Sequence, residues 1–304
     1  KGEGELSHII IETKSGRQAV GCKYVIDCTG DGDLVARAGF ACAISEPSKL
    51  QPVSLVFHLG GVDTEALEPL YLGVGDEGGF NAILRQKLLE AREQGIDVPL
   101  FGGPWVVHGS TIRPGYVSVN ATRKVCSCID VEELTAAQLS LRKDMFRLFE
   151  FMRSSLDALQ DAYIVYSAAT VGTRESRRVR GVYELNEEDI LSARPFEDTV
   201  CKGSHPIDSH SPLDPKQSLT WLKEAYNIPY RSLVPIGSKN VLVAGRNISA
   251  TSRALASTRV QATAMALGQA AGTAGALCAR YNVFVSQLDT GFLRMALKEQ
   301  GAII

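Results

Sequence analysis

The sequence predicts an α/β protein in which both chain ends build one parallel-sheet domain around an inserted, mixed α+β domain. Three observations carry this. The apolar run Tyr24-Val-Ile-Asp-Cys28 breaks directly into glycines, and a second apolar run, Val241-Leu-Val-Ala244, does the same near the other end. Between Ser45 and Pro235 the texture changes to short β-like runs and intervening helices. The 304 residues amount to about two domains at roughly 150 residues each. The expected boundaries are 1–45 and 236–304 for the shared domain and 46–235 for the insert.

Composition narrows the class. With 45% hydrophobic and 22% charged residues, the chain is neither disordered, collagen-like nor a long coiled coil. Its 32 basic and 34 acidic residues leave a charge of −2, which gives no global field for nucleic acid or an anionic membrane, so neither is expected as a partner. No apolar run reaches the roughly 18 residues of a bilayer span. Seven cysteines form no paired framework in a chain this size, which reads as reduced thiols and a cytoplasmic location. The sequons at Asn120 and Asn247 are short enough to arise by chance.

Taken in order, residues 9–13 and 24–28 read as strands joined across Lys14-Ser-Gly-Arg17, with Gly16 supplying a positive φ. Thr29-Gly-Asp-Gly-Asp33 follows, then a short helix carrying Leu34, Val35, Ala38 and Phe40. Two glycines at a strand end let backbone amides approach a ligand, although a plain turn capped by Asp33 fits the stretch equally well. In the middle, β-like runs cover 53–59, 117–121 and 164–183, and helices cover 81–94 and 132–153. The literal G-x-G-x-x-G at Gly73, Gly75 and Gly78 is read as a surface loop, because Glu65, Glu68 and Pro69 stand where its delivering strand should be.

After residues 241–244 and the loop Gly245-Arg-Asn247, a helix over 256–280 carries Gly268, Gly272 and Gly275 among many alanines. Each mid-helix glycine costs up to about 1 kcal/mol relative to Ala, so such a stripe reads as close packing on a sheet or a flat ligand. Arg259, Gln261, Gln269 and Arg280 interrupt it too often for a membrane dimer face. Its expected start at Ser257-Thr-Arg259 offers free amides, a positive dipole end and a guanidinium, which suits an anion.

Together these blocks resemble the FAD-dependent oxidoreductases of the two-dinucleotide-binding-domain, fumarate-reductase-like type. The carrying residues are Val25-Ile-Asp-Cys-Thr-Gly-Asp-Gly-Asp33, Val243-Ala-Gly-Arg-Asn-Ile-Ser249, Ser257-Thr-Arg-Val260 and Gly268-Gln-Ala-Ala-Gly272. The middle fits a bacterial subgroup through Gly172-Thr-Arg-Glu-Ser-Arg-Arg178, His205-Pro-Ile-Asp-Ser-His210 and Ile228-Pro-Tyr-Arg-Ser-Leu-Val234. The resemblance implies a Rossmann-like FAD-binding domain and FAD as cofactor. Thr29, Gly30, Asp31, Gly32, Gly245, Arg246, Ser257, Thr258 and Arg259 would line it. It also implies hydride transfer between flavin and a small organic substrate, which a row of Arg174, Arg178 and Arg180 would make anionic.

That family opens with a strand, a G-x-G-x-x-G and a helix, which nothing before Ile9 supplies. The chain is therefore expected to be the C-terminal portion of a longer flavoprotein, its partner an N-terminal FAD-binding segment or a separate chain, with self-association as another way to cover the sheet. A non-catalytic binding or assembly subunit is the alternative.

For the substrate, a strand over 173–183 would place Arg174, Arg178 and Arg180 on one face, either as a carboxylate-binding row or as a solvated face paired with nearby glutamates. Asp208 and His210 stand two apart in a Pro-rich loop, where His210 is the candidate general base and a plain surface loop the alternative. Cys126-x-Cys128 lacks a second pair at zinc spacing, so no metal is expected.

Overall fold

The computed structural model describes residues 3–67, 80–107, 109, 111–213, 215 and 217–304. The Gly73, Gly75, Gly78 motif lies outside them. In chain order the elements are β1 (His8–Thr13), β2 (Gly16–Gly21), β3 (Val25–Asp27), α1 (Asp33–Arg37), β4 (Cys42–Ala43), β5 (Phe57–Gly60), α2 (Phe80–Glu93), β6 (Phe101–Val107), β7 (Val117–Thr122) and α3 (Val131–Ser155). There follow β8 (Tyr163–Ser167), β9 (Arg178–Val179), α4 (Glu187–Leu191), β10 (Thr199–Gly203), β11 (Ile207–His210), β12 (Gln217–Thr220) and β13 (Tyr226–Pro229). The chain closes with β14 (Val241–Val243), α5 (Ser252–Thr258), α6 (Gln261–Tyr281) and α7 (Thr290–Glu299).

Two compact units result. The first joins 1–45, 175–209 and 218–304, and the second joins 46–174 and 210–217. The expected domain boundaries differ from this division in one respect: 175–209 and 218–235, read from sequence as insert, fall with the chain ends.

In the first unit β3 and β14 pair in parallel, Val25 opposite Val241 and Asp27 opposite Val243. Val25, Val241, Leu242 and Val243 are all buried, which is why Val25-Ile26 and Val241–Val243 read as apolar runs. Asn240 ties the amino-terminal segment to this pair. Its side chain donates to the Leu6 and Lys23 carbonyls at 2.7 Å and accepts from the Leu6 amide at 2.9 Å. Helix α6 buries Leu267, Ala270, Ala271, Ala274 and Gly275, and a Cβ on Gly275 would stand 3.5 Å from Ile26 Cδ1 on β3.

Three local expectations change here. The hairpin formed across Gly16 (φ 94°) is β1 with β2, Thr13 opposite Gly16, because so tight a turn returns the chain onto the very next residues. Residues 24–28 instead supply β3, a partner of β14. The helix read over 256–280 is two helices: Thr251 caps α5 by accepting from the Ala254 amide, Val260 is extended (ψ 151°), and α6 begins at Gln261. The stripe is also less close-packed than expected, since among the described residues nothing lies within 4 Å of a Cβ placed on Gly268 or Gly272.

The second unit holds an antiparallel sheet in the order β6-β7-β5-β8. Its core takes Phe57, Leu59, Val117 and Val119 from the sheet, Leu84 and Leu88 from α2, and Leu141, Leu148 and Met152 from α3. The run 164–183 is not one strand. β8 ends at Ser167, a single bridge joins Gly172 to Ser54, and Arg178–Val179 pairs with Cys42–Ala43 in the first unit's own sheet. Between the bridge and β9, Arg174, Glu175, Ser176 and Arg177 bond through their side chains rather than through a ladder.

Candidate cofactor site

The carboxyl end of β3 is organised by one buried side chain. Asp27, 2% exposed, accepts from the Thr29 amide at 2.9 Å, the Thr29 hydroxyl at 2.7 Å and the Val35 amide at 2.9 Å. Its own carbonyl accepts from the Ala244 amide at 3.1 Å and from Asn247 Nδ2 at 2.9 Å. The loops after β3 and β14 are thereby fixed side by side. Gly30 (φ 82°), Gly32 (φ 62°) and Gly245 (φ 102°) all sit in left-handed backbone that a side chain would strain.

Arg246 crosses this pair of loops. Its Nη1 donates to Asp31 Oδ1 at 3.0 Å, and a Cβ on Gly30 would stand 2.5 Å from its Nη2. Ser176 Oγ donates to Asp31 Oδ1 at 2.5 Å, Arg177 Nε donates to the Asp31 carbonyl at 2.9 Å, and Arg177 also pairs with Asp33. The Asp31 charge is thus compensated in place. Burial and Asp27 push the Cys28 thiol up, so the sulfur beside the loop is a neutral wall.

The arginine row expected along 173–183 does not form. Arg178 pairs with fully buried Glu175 at 2.6 Å and donates to the Ala250 carbonyl at 2.9 Å. The second Glu175 oxygen accepts from Ser252 at 2.9 Å, while Arg180 forms an exposed pair with Glu184 at 2.8 Å. In the second unit, Arg174 donates to the Pro52 carbonyl at 2.8 Å and to Ser54 Oγ at 2.7 Å. Glu175, Ser176 and Arg177 were quoted in the sequence only as part of the Gly172–Arg178 motif, with no role at the cofactor loops. Their signal was an acid and a hydroxyl set among three arginines beside a glycine loop.

Ser257, Thr258 and Arg259 occupy the end of α5 rather than a helix start. Ser257 and Thr258 are fully buried, and Ser257 Oγ donates to the His205 carbonyl at 2.5 Å. Arg259 donates to the Asp208 carbonyl at 3.0 Å, and desolvation lowers its pKa against the opposing pull of Asp208. Asp208 lies on β11, a strand where a Pro-rich loop was expected.

His210, 7% exposed, belongs to the second unit and meets a residue that the sequence did not single out. Arg123, 1% exposed, donates from Nη2 to His210 Nδ1 at 2.8 Å and from Nη1 to the Ser211 carbonyl at 3.4 Å. A guanidinium has no acceptor, so Nδ1 must accept and the ring proton sits on Nε2. Gly102 leaves room for this guanidinium, which a Cβ would strike. A cavity of about 530 Å³ in the same unit is walled by Arg123, Lys124, Arg147, Asp144, Leu100 and Leu213 among others.

The loops test favourably as a place for a flavin nucleotide. Three left-handed glycines shape the two loops, the space over Gly245 is open to 4 Å, and Asn247 Oδ1 is buried with no hydrogen-bond donor. A buried acceptor of this kind is satisfied by a bound N–H or O–H. Among the described residues no group of three metal-ligating side chains converges, and no helix is long and apolar enough to cross a membrane. No curated protein and no solved structure matches the chain. A family model for FAD dependent oxidoreductases, however, matches residues 1–298, and the chain belongs to that family.

Proposed function

We propose that the chain binds FAD at the loops following β3 and β14 and serves hydride transfer between the flavin and a small anionic organic substrate. The observation that carries the reading is the set of three left-handed glycines, Gly30, Gly32 and Gly245, at the carboxyl edge of a parallel strand pair, crossed by Arg246. When bound, the flavin would supply the two-electron chemistry. The protein's share is positional. Asp27 fixes the loop through Thr29; Gly30 and Gly32 give it its left-handed turns; and Asp31 and Arg246 hold each other across it.

An anionic substrate is supported by the cavity that Arg123 and Lys124 wall. His210, whose Nδ1 meets Arg123, remains our candidate for orienting it. Arg174 and Arg178 were candidates for the same task, and their committed hydrogen bonds favour holding the fold. Seven free thiols support a reducing compartment such as the cytoplasm.

β3 and β14 form a two-stranded pair among the described residues. We propose that a strand, G-x-G-x-x-G and helix unit, from a further segment or a second chain, extends it and supplies the pyrophosphate cradle. The test is FAD titration followed by flavin fluorescence, with and without such a segment. Binding that needs Gly30 and Gly245 supports the reading. A protein that takes up no flavin in either state overturns it.

A further inference from the structure

The connection from β7 to α3 carries Cys126-Ser127-Cys128. Asp130 caps α3, accepting from the Glu132 and Glu133 amides at 2.9 Å, and Glu133 reaches back to accept from the Ser127 amide at 2.8 Å. The segment is therefore pinned against a helix start. Cys126 is 8% exposed within the second unit's core, and Cys128 is partly buried against that same core. The two cysteines are separated by one residue, and Cys128 is close enough to raise the pKa of Cys126. Neither cysteine is in a disulfide.

We propose that Cys126 and Cys128 form a reversible disulfide when the protein meets a low-molecular-weight disulfide such as oxidised glutathione. Cys128, the more accessible, attacks first. Its thiolate displaces one glutathione thiolate and leaves a mixed disulfide. Cys126 then gives up its proton to solvent and its sulfur displaces the second glutathione. In sum the two protein thiols lose two electrons and two protons, and oxidised glutathione gains them as two molecules of glutathione. The order follows from access: Cys128 is the more exposed of the two, while neighbouring Cys128 and burial hold Cys126 protonated, so Cys126 reacts second, once the mixed disulfide stands beside it.

The experiment incubates the intact chain in glutathione buffers of rising oxidised fraction, quenches with acid, alkylates the remaining thiols and reads whole-protein mass and cross-linked peptides. The expected result is a Cys126–Cys128 link, with no glutathione retained on either residue and full reversal by dithiothreitol. In Cys126→Ser, which cannot resolve, Cys128 should keep one glutathione. A lasting adduct on Cys128 in the parent protein would overturn the proposal. So would a parent in which both residues stay alkylatable while exposed Cys28 takes up glutathione, and that measurement does not depend on any variant folding.

Discussion

Arg246 and Asp31 face each other across two loops more than two hundred residues apart in sequence, 3.0 Å from Nη1 to Oδ1, with Gly30 beneath the guanidinium. The contact explains why Gly30 must be glycine twice over. Its φ of 82° disfavours any side chain, and a Cβ would stand 2.5 Å from Arg246 Nη2. The left-handed backbone alone costs about 1–2 kcal/mol in another residue. Gly30→Val is therefore expected to weaken FAD binding at least tenfold and to lower the melting temperature by a few degrees, read by flavin fluorescence and calorimetry. Unchanged flavin affinity would show that this loop is not the cofactor's.

Arg178 and Glu175 are buried together, with side chains 7% and 0% exposed, whereas Arg180 and Glu184 are 49% and 41% exposed. Removing one partner of a buried pair strands the other charge, at about 3–5 kcal/mol, while an exposed pair contributes about 0–1 kcal/mol. Arg178→Met should thus shift the urea midpoint strongly and Arg180→Met hardly at all. An Arg178→Met protein of parental stability but defective turnover would return this arginine to the substrate.

What was legible in the sequence follows the range of the forces involved. β3 and β14 were readable because strands buried on both faces carry apolar residues at successive positions, Val25-Ile26 and Val241–Val243. The run 164–183 was not, since alternation looks the same in a strand and in a segment whose arginines hydrogen-bond one by one. Arg123 and His210 lie 87 positions apart, and no local pattern links such residues. Val260 ended one helix and preceded another through its backbone alone, with no Gly or Pro to signal it.

The small-residue helix α6 divides into two kinds of glycine. Gly275 rests on Ile26, so Gly275→Leu should overpack and cost about 1–3 kcal/mol. Gly272 has nothing within 4 Å of its missing Cβ among the described residues, so Gly272→Ala should gain helix stability, up to about 1 kcal/mol. Opposite shifts in thermal midpoint are expected. A loss on Gly272→Ala would mean that this face is covered in the functional assembly.

His58 offers a pH-dependent test of the second unit. Its ring stacks on Tyr166, centroids 4.4 Å apart and planes at 16°, and desolvation lowers its pKa from the ordinary 6.5. A lowered histidine pKa means that the unfolded chain binds the proton more readily than the folded one. Stability therefore rises with pH through the window between the folded and unfolded values. The contribution is complete above about 6.5 and is lost as the pH falls toward the folded value. His58→Phe keeps a ring for Tyr166 but has nothing to protonate. Thermal midpoints of both proteins, measured between about pH 5 and 7.5, should show the parent losing more on acidification than the variant, since carboxylates elsewhere titrate alike in both. Parallel curves would mean that the His58 ring is solvated well enough to titrate as it does in the unfolded chain, and that its stacking on Tyr166 is indifferent to charge.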